Sequence, residues 1–299
     1  MSEILIIVNP ASSGGRTGRR WDAMAGRLKA AGVDFQAVLT TRPNEATEIA
    51  RAAVLEGRGL VAAAGGDGTL NEVVNGFFDG SERIPSRTGL GLIPLGTGGD
   101  FRRTFHLGDD PDLVAAVLSG SQRQTVDVGR ATFAGHSGGV QVRHFINIAD
   151  AGIGGEIVHR VNHGLRVFNG PLTFLTASVL VGLGWKNKPV RLVVDGEVQD
   201  LKAQQVIVAN CRYFGGGMMV APTASPDDGW LDLVVVGDLG TLAGAAFLAQ
   251  VRNGSHLKSG SSIVTHRLVK RVEVSSPEPV RIDLDGEQPG WLTAVFEVV

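Results

Sequence analysis

Cys211 is the only cysteine in the 299-residue chain. A single thiol excludes an intramolecular disulfide framework and suits a reducing compartment. Neither sign of charge is in excess: 28 Lys and Arg stand against 30 Asp and Glu, a formal charge of −2. That balance argues against a general nucleic-acid binder. A convincing membrane span is lacking as well. The longest uncharged stretch, VFNGPLTFLTASVLVGLGW from Val167 to Trp185, is interrupted by Asn169, Gly170 and Pro171, whereas a span needs about 20 predominantly apolar residues. It reads as a buried helix or as a helix lining an apolar substrate cleft. The opening MSEILIIVNP has an apolar run with no basic flank, so it is expected to form a strand and not a signal peptide. No repeat or low-complexity segment stands out.

What is present divides near residue 125, and a chain of this length favours two domains. Residues 1–125 alternate strand and helix patterns. EILIIV, DFQAVL, GLVAAA and GLGLIP read as strands, and Arg16–Ala31, Pro43–Glu56, Leu70–Phe78 and Asp110–Ser119 as helices. Such alternation implies right-handed crossovers and a doubly wound parallel sheet. Residues 126–299 read as a mainly antiparallel β domain. Its strand candidates are RHFINIA, PVRLVVDG, AQQVIVAN, LDLVVVG, RVEVSS and PVRIDLDG, with helices at Glu156–Asn162, Leu172–Leu183 and Thr241–Val251.

Two glycine-rich loops follow the third and fourth strands, GGDGT at Gly65–Thr69 and PLGTGGDF at Pro94–Phe101. Ligands of open parallel sheets sit beyond the carboxyl ends of the strands, and glycine amides beside a helix N-terminus can hold phosphate oxygens. Asp67 would need a counter-ion beside a triphosphate, so Mg²⁺ carried by a nucleotide is expected. Neither loop has the G-K-[ST] of a Walker A motif, and no G-x-G-x-x-G follows the first strand. NPASSGGRTGRR stands there instead, and Arg16, Arg19 or Arg20 could reach phosphates or simply be solvated.

NPASSGGR, GGDGTLNEVVNG, PLGTGGDF, YFGGGMMVAPTASPDDGWLD and LDGE occur in this order across nearly the whole chain. In these blocks the sequence resembles the diacylglycerol kinase catalytic-domain family, nearest its bacterial soluble lipid kinases, which also include sphingosine and ceramide kinase relatives. GGDGT alone is shared with NAD kinases and phosphofructokinases. The resemblance implies a phosphofructokinase/NAD-kinase-like α/β domain, a β domain, and ATP-dependent phosphorylation of a lipid hydroxyl in the cleft between them. By motif position, Asn9, Thr40, Gly65, Gly66, Asp67, Gly68, Thr69, Asn71, Glu72 and Thr97 would serve the nucleotide or its Mg²⁺. The implied partners are a lipid with a free hydroxyl and the inner membrane surface, touched peripherally from the cytoplasm; a homodimer is compatible.

In the β domain, SPDDGWLD alone would be an ordinary hairpin turn. The resemblance makes it a Mg²⁺ loop, with Asp228 as carboxylate ligand and the carbonyls of Ser225 and Trp230 beside it. Asp127 would join an Asp–water–Mg²⁺ network, and Asn147 matches a recurrent Asn of unassigned role. Phosphoryl transfer to an alcohol needs a carboxylate to take the hydroxyl proton. The family pattern assigns this to Asp285 or Glu287, which strand alternation would place on one face. VDGE at Val194–Glu197 is a peripheral look-alike, and Met218 and Met219 face either an acyl chain or the core. Two other readings stand beside the lipid kinase: an NAD-kinase-like enzyme acting on a soluble nucleotide, and a regulatory protein that binds without turnover. The second is motivated by Gly99, where relatives usually carry Asn, and by Arg102, where they tend to carry a small residue.

Overall fold

The computed structural model describes residues 3–96, 99–163, 171–258 and 263–299. The chain forms two compact units, Met1–Thr125 and Val126–Val299.

In the first unit four strands lie parallel in the order Phe35–Leu39, Ile4–Val8, Leu60–Gly65, Gly89–Pro94. Their central runs are apolar because helices cover them. On one face, Trp21, Met24 and Leu28 of helix Ser12–Ala30 and Val114 and Leu118 of helix Pro111–Ser119 pack on Ile6, Val8, Ala62 and Ile93. Helices Glu45–Leu55 and Asp67–Asn75 pack on each other and on the sheet. Asp110 caps the last helix by accepting the Asp112 and Leu113 N–H groups at 3.1 Å, with Pro111 in the first turn. Val8 registers with Leu39 and Ala64, and Gly65 with Pro94, so Asn9, Thr40, Gly66 and Leu95 leave the sheet along one carboxyl edge. The third helix begins at Asp67, three residues before the expected Leu70, because Gly66 takes the extended N-cap position.

The second unit contains an eleven-stranded sheet with antiparallel pairing, bearing out the expected fold class. Alternation splits its side chains between two layers. Ala149, Ala151, Val206, Val208, Ile282 and Leu284 enter the larger core. Ile148, Ile207, Ala209 and Val234 point the other way, onto Val220, Ala221 and Val251. RHFINIA does not form one strand; Val140–Phe145 and Ile148–Gly152 are separate, broken at Ile146 and Asn147. Strand Val264–Val269 escaped the sequence reading because four of its six residues are exposed, leaving no apolar alternation. Among the described residues no helix is long and apolar enough to cross a membrane.

Candidate active-site elements

The two glycine loops of the first unit touch backbone to backbone. The Gly96 N–H donates to the Gly65 carbonyl at 2.9 Å, and a Cβ on Gly96 would lie 2.6 Å from the Gly66 Cα. Asp67 joins the loops a second time, its carboxylate accepting the N–H groups of Asp100 at 3.0 Å and Phe101 at 3.4 Å. Burial pushes the Asp67 carboxyl up, while the N–H groups of Asp100, Phe101 and Gly99 pull it down. Those amides at the start of helix Asp100–Thr104 offset part of the cost of burying its charge. Glu72 is likewise committed within the fold: its Oε2 accepts the Ala46 N–H at 3.2 Å, at the start of the second helix. Asn9 accepts the Ser12 N–H at 3.1 Å, and the Thr40 N–H donates to Val8 at 2.8 Å. Asn71 is buried and accepts from the Asn75 amide. The Thr69 hydroxyl is buried against Gly65 and has no hydrogen-bond partner among the described residues. Gly68 lies in the first turn of the third helix. Arg20 pairs with Asp109 at 3.1 Å and Arg19 turns back to the Gly14 carbonyl, while Arg16 is exposed. Thr97 lies outside the described residues.

In the second unit, strands Arg281–Leu284 and Glu287–Val298 are joined by a two-residue turn, Asp285 at φ 52° and Gly286 at φ 91°. Both values are those of the turn that favours Asp-Gly. Asp285 therefore lies in the turn and Glu287 opens the next strand, so strand alternation does not place them on one face. Asp285 is buried, and its two oxygens accept the N–H groups of Ile146, Asn147 and Ile148 at 2.8, 3.0 and 2.9 Å. This capture breaks RHFINIA, since those amides turn to the carboxylate at the point where the strand is interrupted. Asn147 also donates its side-chain amide to the Tyr213 carbonyl at 3.0 Å, tying the acidic turn to the following glycine-rich segment. Glu287 is exposed.

Asp127 meets the SPDDGW turn. Its N–H donates to Pro226 at 2.6 Å, and its Oδ2 accepts the Gly229 N–H at 2.7 Å. Asp228, exposed, accepts the Trp230 N–H at 2.9 Å, and the Ser225 hydroxyl bonds Asp227 at 2.8 Å. Among the described residues no group of three or more His, Cys, Asp or Glu forms a metal cluster. An exposed carboxylate in a turn with main-chain carbonyls suits a hydrated, oxygen-liganded cation.

The second unit also holds an apolar cavity of about 210 Å³, lined by Ile157, Val179, Phe214, Met218, Phe247 and Leu248 among others. It draws on helix Ile153–His163, helix Pro171–Gly184 and helix Thr241–Val251. The sequence had signalled it only through the uncharged run of the second of these and through Met218.

The family model described as "Diacylglycerol kinase catalytic domain" matches residues 3–131, and "YegS C-terminal NAD kinase beta sandwich-like domain" matches residues 147–299. The chain belongs to the diacylglycerol kinase catalytic-domain family. Within it, a Staphylococcus carnosus (strain TM300) protein named diacylglycerol kinase is 29% identical over 291 residues, 97% of this chain and 90% of that one. A crystal structure of a diacylglycerol kinase from Bacillus anthracis str. Sterne superposes with a TM-score of 0.72 at 24% identity, covering 99% of this chain and 93% of that one. Yeast NADH kinase complexed with NADH shares the fold, with a TM-score of 0.52 at 13% identity over 100% of this chain and 80% of its own.

Against the family pattern, Gly99 and Arg102 explain each other. Gly99 adopts φ 68°, and a Cβ there would meet the Arg102 side chain at 2.6 Å. Arg102 in turn donates to the Leu107 carbonyl at 3.3 Å. Asn tolerates this backbone conformation, so what Gly99 supplies is room for the bulkier Arg102.

Proposed function

We propose that the chain is an ATP- and Mg²⁺-dependent lipid kinase that phosphorylates a hydroxyl of a diacylglycerol-like, phosphatidylglycerol-like or sphingoid lipid. The apolar cavity of the second unit carries this reading. An acyl chain gains about 25 cal/mol for each Å² it buries there, and a soluble dinucleotide has no such surface to offer. In the first unit, the carboxyl-edge loops are suited to ATP: Gly66 contributes no side-chain cap, leaving first-turn amides for phosphate oxygens, and the orphan Thr69 hydroxyl lies beside them. Asn9, Thr40, Gly65, Gly68, Asn71 and Thr97 complete the proposed nucleotide contacts, with Asp67 joining the two loops and Glu72 tying the third helix to the second.

For the chemistry, Glu287 is the better base. The lipid oxygen attacks the γ-phosphorus, the bond to the ADP oxygen breaks, and the hydroxyl proton passes to the carboxylate. Asp285 is less available because both of its oxygens are already occupied by backbone N–H groups. Bound Mg²⁺ would neutralise phosphate charge. A further Mg²⁺ would be held at the SPDDGW turn by Asp228, the Ser225 and Trp230 carbonyls and water, with Asp127 close by. Adding EDTA is expected to lower the melting temperature of the wild type and not of Asp228→Asn; equal sensitivity in both would remove this assignment.

Val179, Leu180 and Leu183 are 51%, 53% and 70% exposed on the helix that also lines the cavity, and Trp185 and Lys186 follow. An apolar face ending in Trp and Lys suits peripheral contact with a membrane of anionic lipid, at the cytoplasmic surface if the compartment is the reducing one its lone thiol suits. With labelled ATP and a panel of diacylglycerol, phosphatidylglycerol and sphingoid bases in vesicles, label is expected in a lipid and not in NAD. Leu183→Asp should raise KM for the vesicle-borne lipid. Label in NAD and in no lipid would sink the reading, and ATP binding without turnover would point to a regulatory protein.

A further inference from the structure

Strands Ile148–Gly152 and Arg281–Leu284 pair with Asp150 directly opposite Asp283. Their neighbours Ala149, Ala151, Ile282 and Leu284 enter the larger core, so both carboxyls point to the other layer, where helix Ile153–His163 packs on the two strands. Both aspartates are 0% exposed. The Asp283 Oδ1 accepts the Gly286 N–H at 2.9 Å, while among the described residues its Oδ2 and both Asp150 oxygens have no hydrogen-bond partner of ordinary geometry. The start of the helix is built to come down on this pair. A Cβ at Gly154 would lie 2.5 Å from each Asp150 oxygen, and one at Gly155 would lie 2.6 Å from the Arg281 carbonyl.

Two like charges directly opposite in a sheet repel, and one helix N-terminus compensates only about half a charge. A single proton shared by the two carboxyls removes the conflict. Burial raises Asp150 to about 7, tempered by the Gln205 amide, the Gly155 N–H and the Asp283 carboxyl. Burial raises Asp283 as well, and Asp150, Asp285 and Glu287 add to it, while the Gly286 N–H pulls it down. The other charged groups on the packed elements are tied to one another: Glu156 bonds Arg281 at 2.9 Å and Arg160 at 3.2 Å. His159 lies on the same helix, and the adjoining strand Gln205–Ala209 carries no charge.

We propose that Asp283 and Asp150 are positioning residues: a carboxyl pair sharing one proton which, through the Asp283–Gly286 hydrogen bond, holds the Asp285–Gly286 turn in the shape that presents Glu287, and loosens it when that proton is lost and the repulsion between two facing buried carboxylates outweighs the gain of a charged acceptor for the Gly286 N–H. The catalytic half of this statement rests on the lipid-kinase reading; the structural half does not. Asp283→Asn keeps an oxygen for the Gly286 N–H and needs no shared proton, Asp283→Ala removes the bond, and Asp150→Asn removes the repulsion. The first readout is amide hydrogen exchange at Gly286, corrected for the intrinsic pH dependence. In the wild type, protection should fall as pH rises from 6 to 9; in Asp150→Asn, where Asp283 is still buried but faces no second charge, the fall should be smaller.

Stability should follow in the same sense. Both carboxyls are raised, so between the unfolded value near 4 and the folded one the native state binds more protons, and stability is lost as pH climbs through that window. The melting temperature of the wild type should therefore fall with pH relative to Asp150→Asn. In turnover, kcat should drop by roughly tenfold per pH unit on the alkaline side once the proton is lost, and less steeply in Asp150→Asn. Asp283→Ala should lower kcat at every pH, with Asp283→Asn restoring it. Unchanged Gly286 protection in Asp283→Ala, or the same pH response in wild type and Asp150→Asn, would overturn the proposal. If Asp283→Ala does not fold, the two Asn variants decide it. Normal Gly286 behaviour without transfer to any lipid would instead sink the lipid-kinase reading and leave the positioning pair standing.

Discussion

Glu287→Gln is expected to lower kcat for lipid phosphorylation by roughly 10²–10⁴-fold, the span over which a general base contributes, with the melting temperature nearly unchanged. Asp285→Asn should behave differently. The Asp285 carboxylate accepts three backbone N–H groups through two oxygens, in a residue that is 5% exposed. An amide keeps one acceptor and turns an NH₂ group towards donors it cannot satisfy. The cost of a buried N–H left unpaired is about 1–3 kcal/mol, or roughly 2–4 °C in melting temperature per kcal/mol for a unit of this size. Activity would fall with it, because Ile146 to Ile148 and the turn lose their common anchor. Steady-state kinetics and thermal melts on the two variants separate the roles. If Asp285→Asn melts like the wild type yet loses turnover, while Glu287→Gln keeps it, then Asp285 is the base and Glu287 is not.

The second large effect is expected from two glycines that sit face to face in the first unit. In Gly96→Ala the new Cβ would meet only backbone, at 2.6 Å from the Gly66 Cα, 2.9 Å from its N and 3.1 Å from the Gly65 carbonyl oxygen. Neither partner is the free end of a side chain, so the loops must part, breaking the 2.9 Å Gly96–Gly65 hydrogen bond and disturbing the amides that Asp67 holds. Overpacking of this kind costs about 1–3 kcal/mol, and the displaced loop should lose ATP affinity by at least about tenfold, the equivalent of 1.4 kcal/mol. Gly66→Ala is the control. Its Cβ would have ordinary contacts, the nearest being the Ser12 Oγ at 3.7 Å, and its φ of −107° suits any residue. That variant should melt like the wild type and still bind ATP weakly, because the methyl would stand where phosphates approach the helix. Calorimetric titration with ATP, beside thermal melts, checks both. Wild-type ATP affinity in Gly66→Ala would remove the phosphate cradle from this loop.

Much of this was legible in residue order alone. Strands buried on both faces need apolar runs, so EILIIV, GLVAAA and LDLVVV announced their sheets without help from distant contacts. Glycine loops after such runs likewise located the carboxyl edge, and five ordered motifs carried the family. Local pattern failed wherever a side chain's partner lay far along the chain. The break in RHFINIA depends on Asp285, about 140 residues away, taking three amides that a strand would have used. The commitment of Asp67 depends on the start of a helix 33 residues on. The facing aspartates, Asp150 and Asp283, come together only through strand register, and the apolar cavity only through three helices meeting over one sheet. Sequence by itself therefore determined which chemical groups this protein owns and the sheets that carry them. The tertiary structure decided which carboxylates are buried against backbone amides and which face solvent, because hydrogen bonding and burial depend on neighbours in space, not on neighbours in the chain.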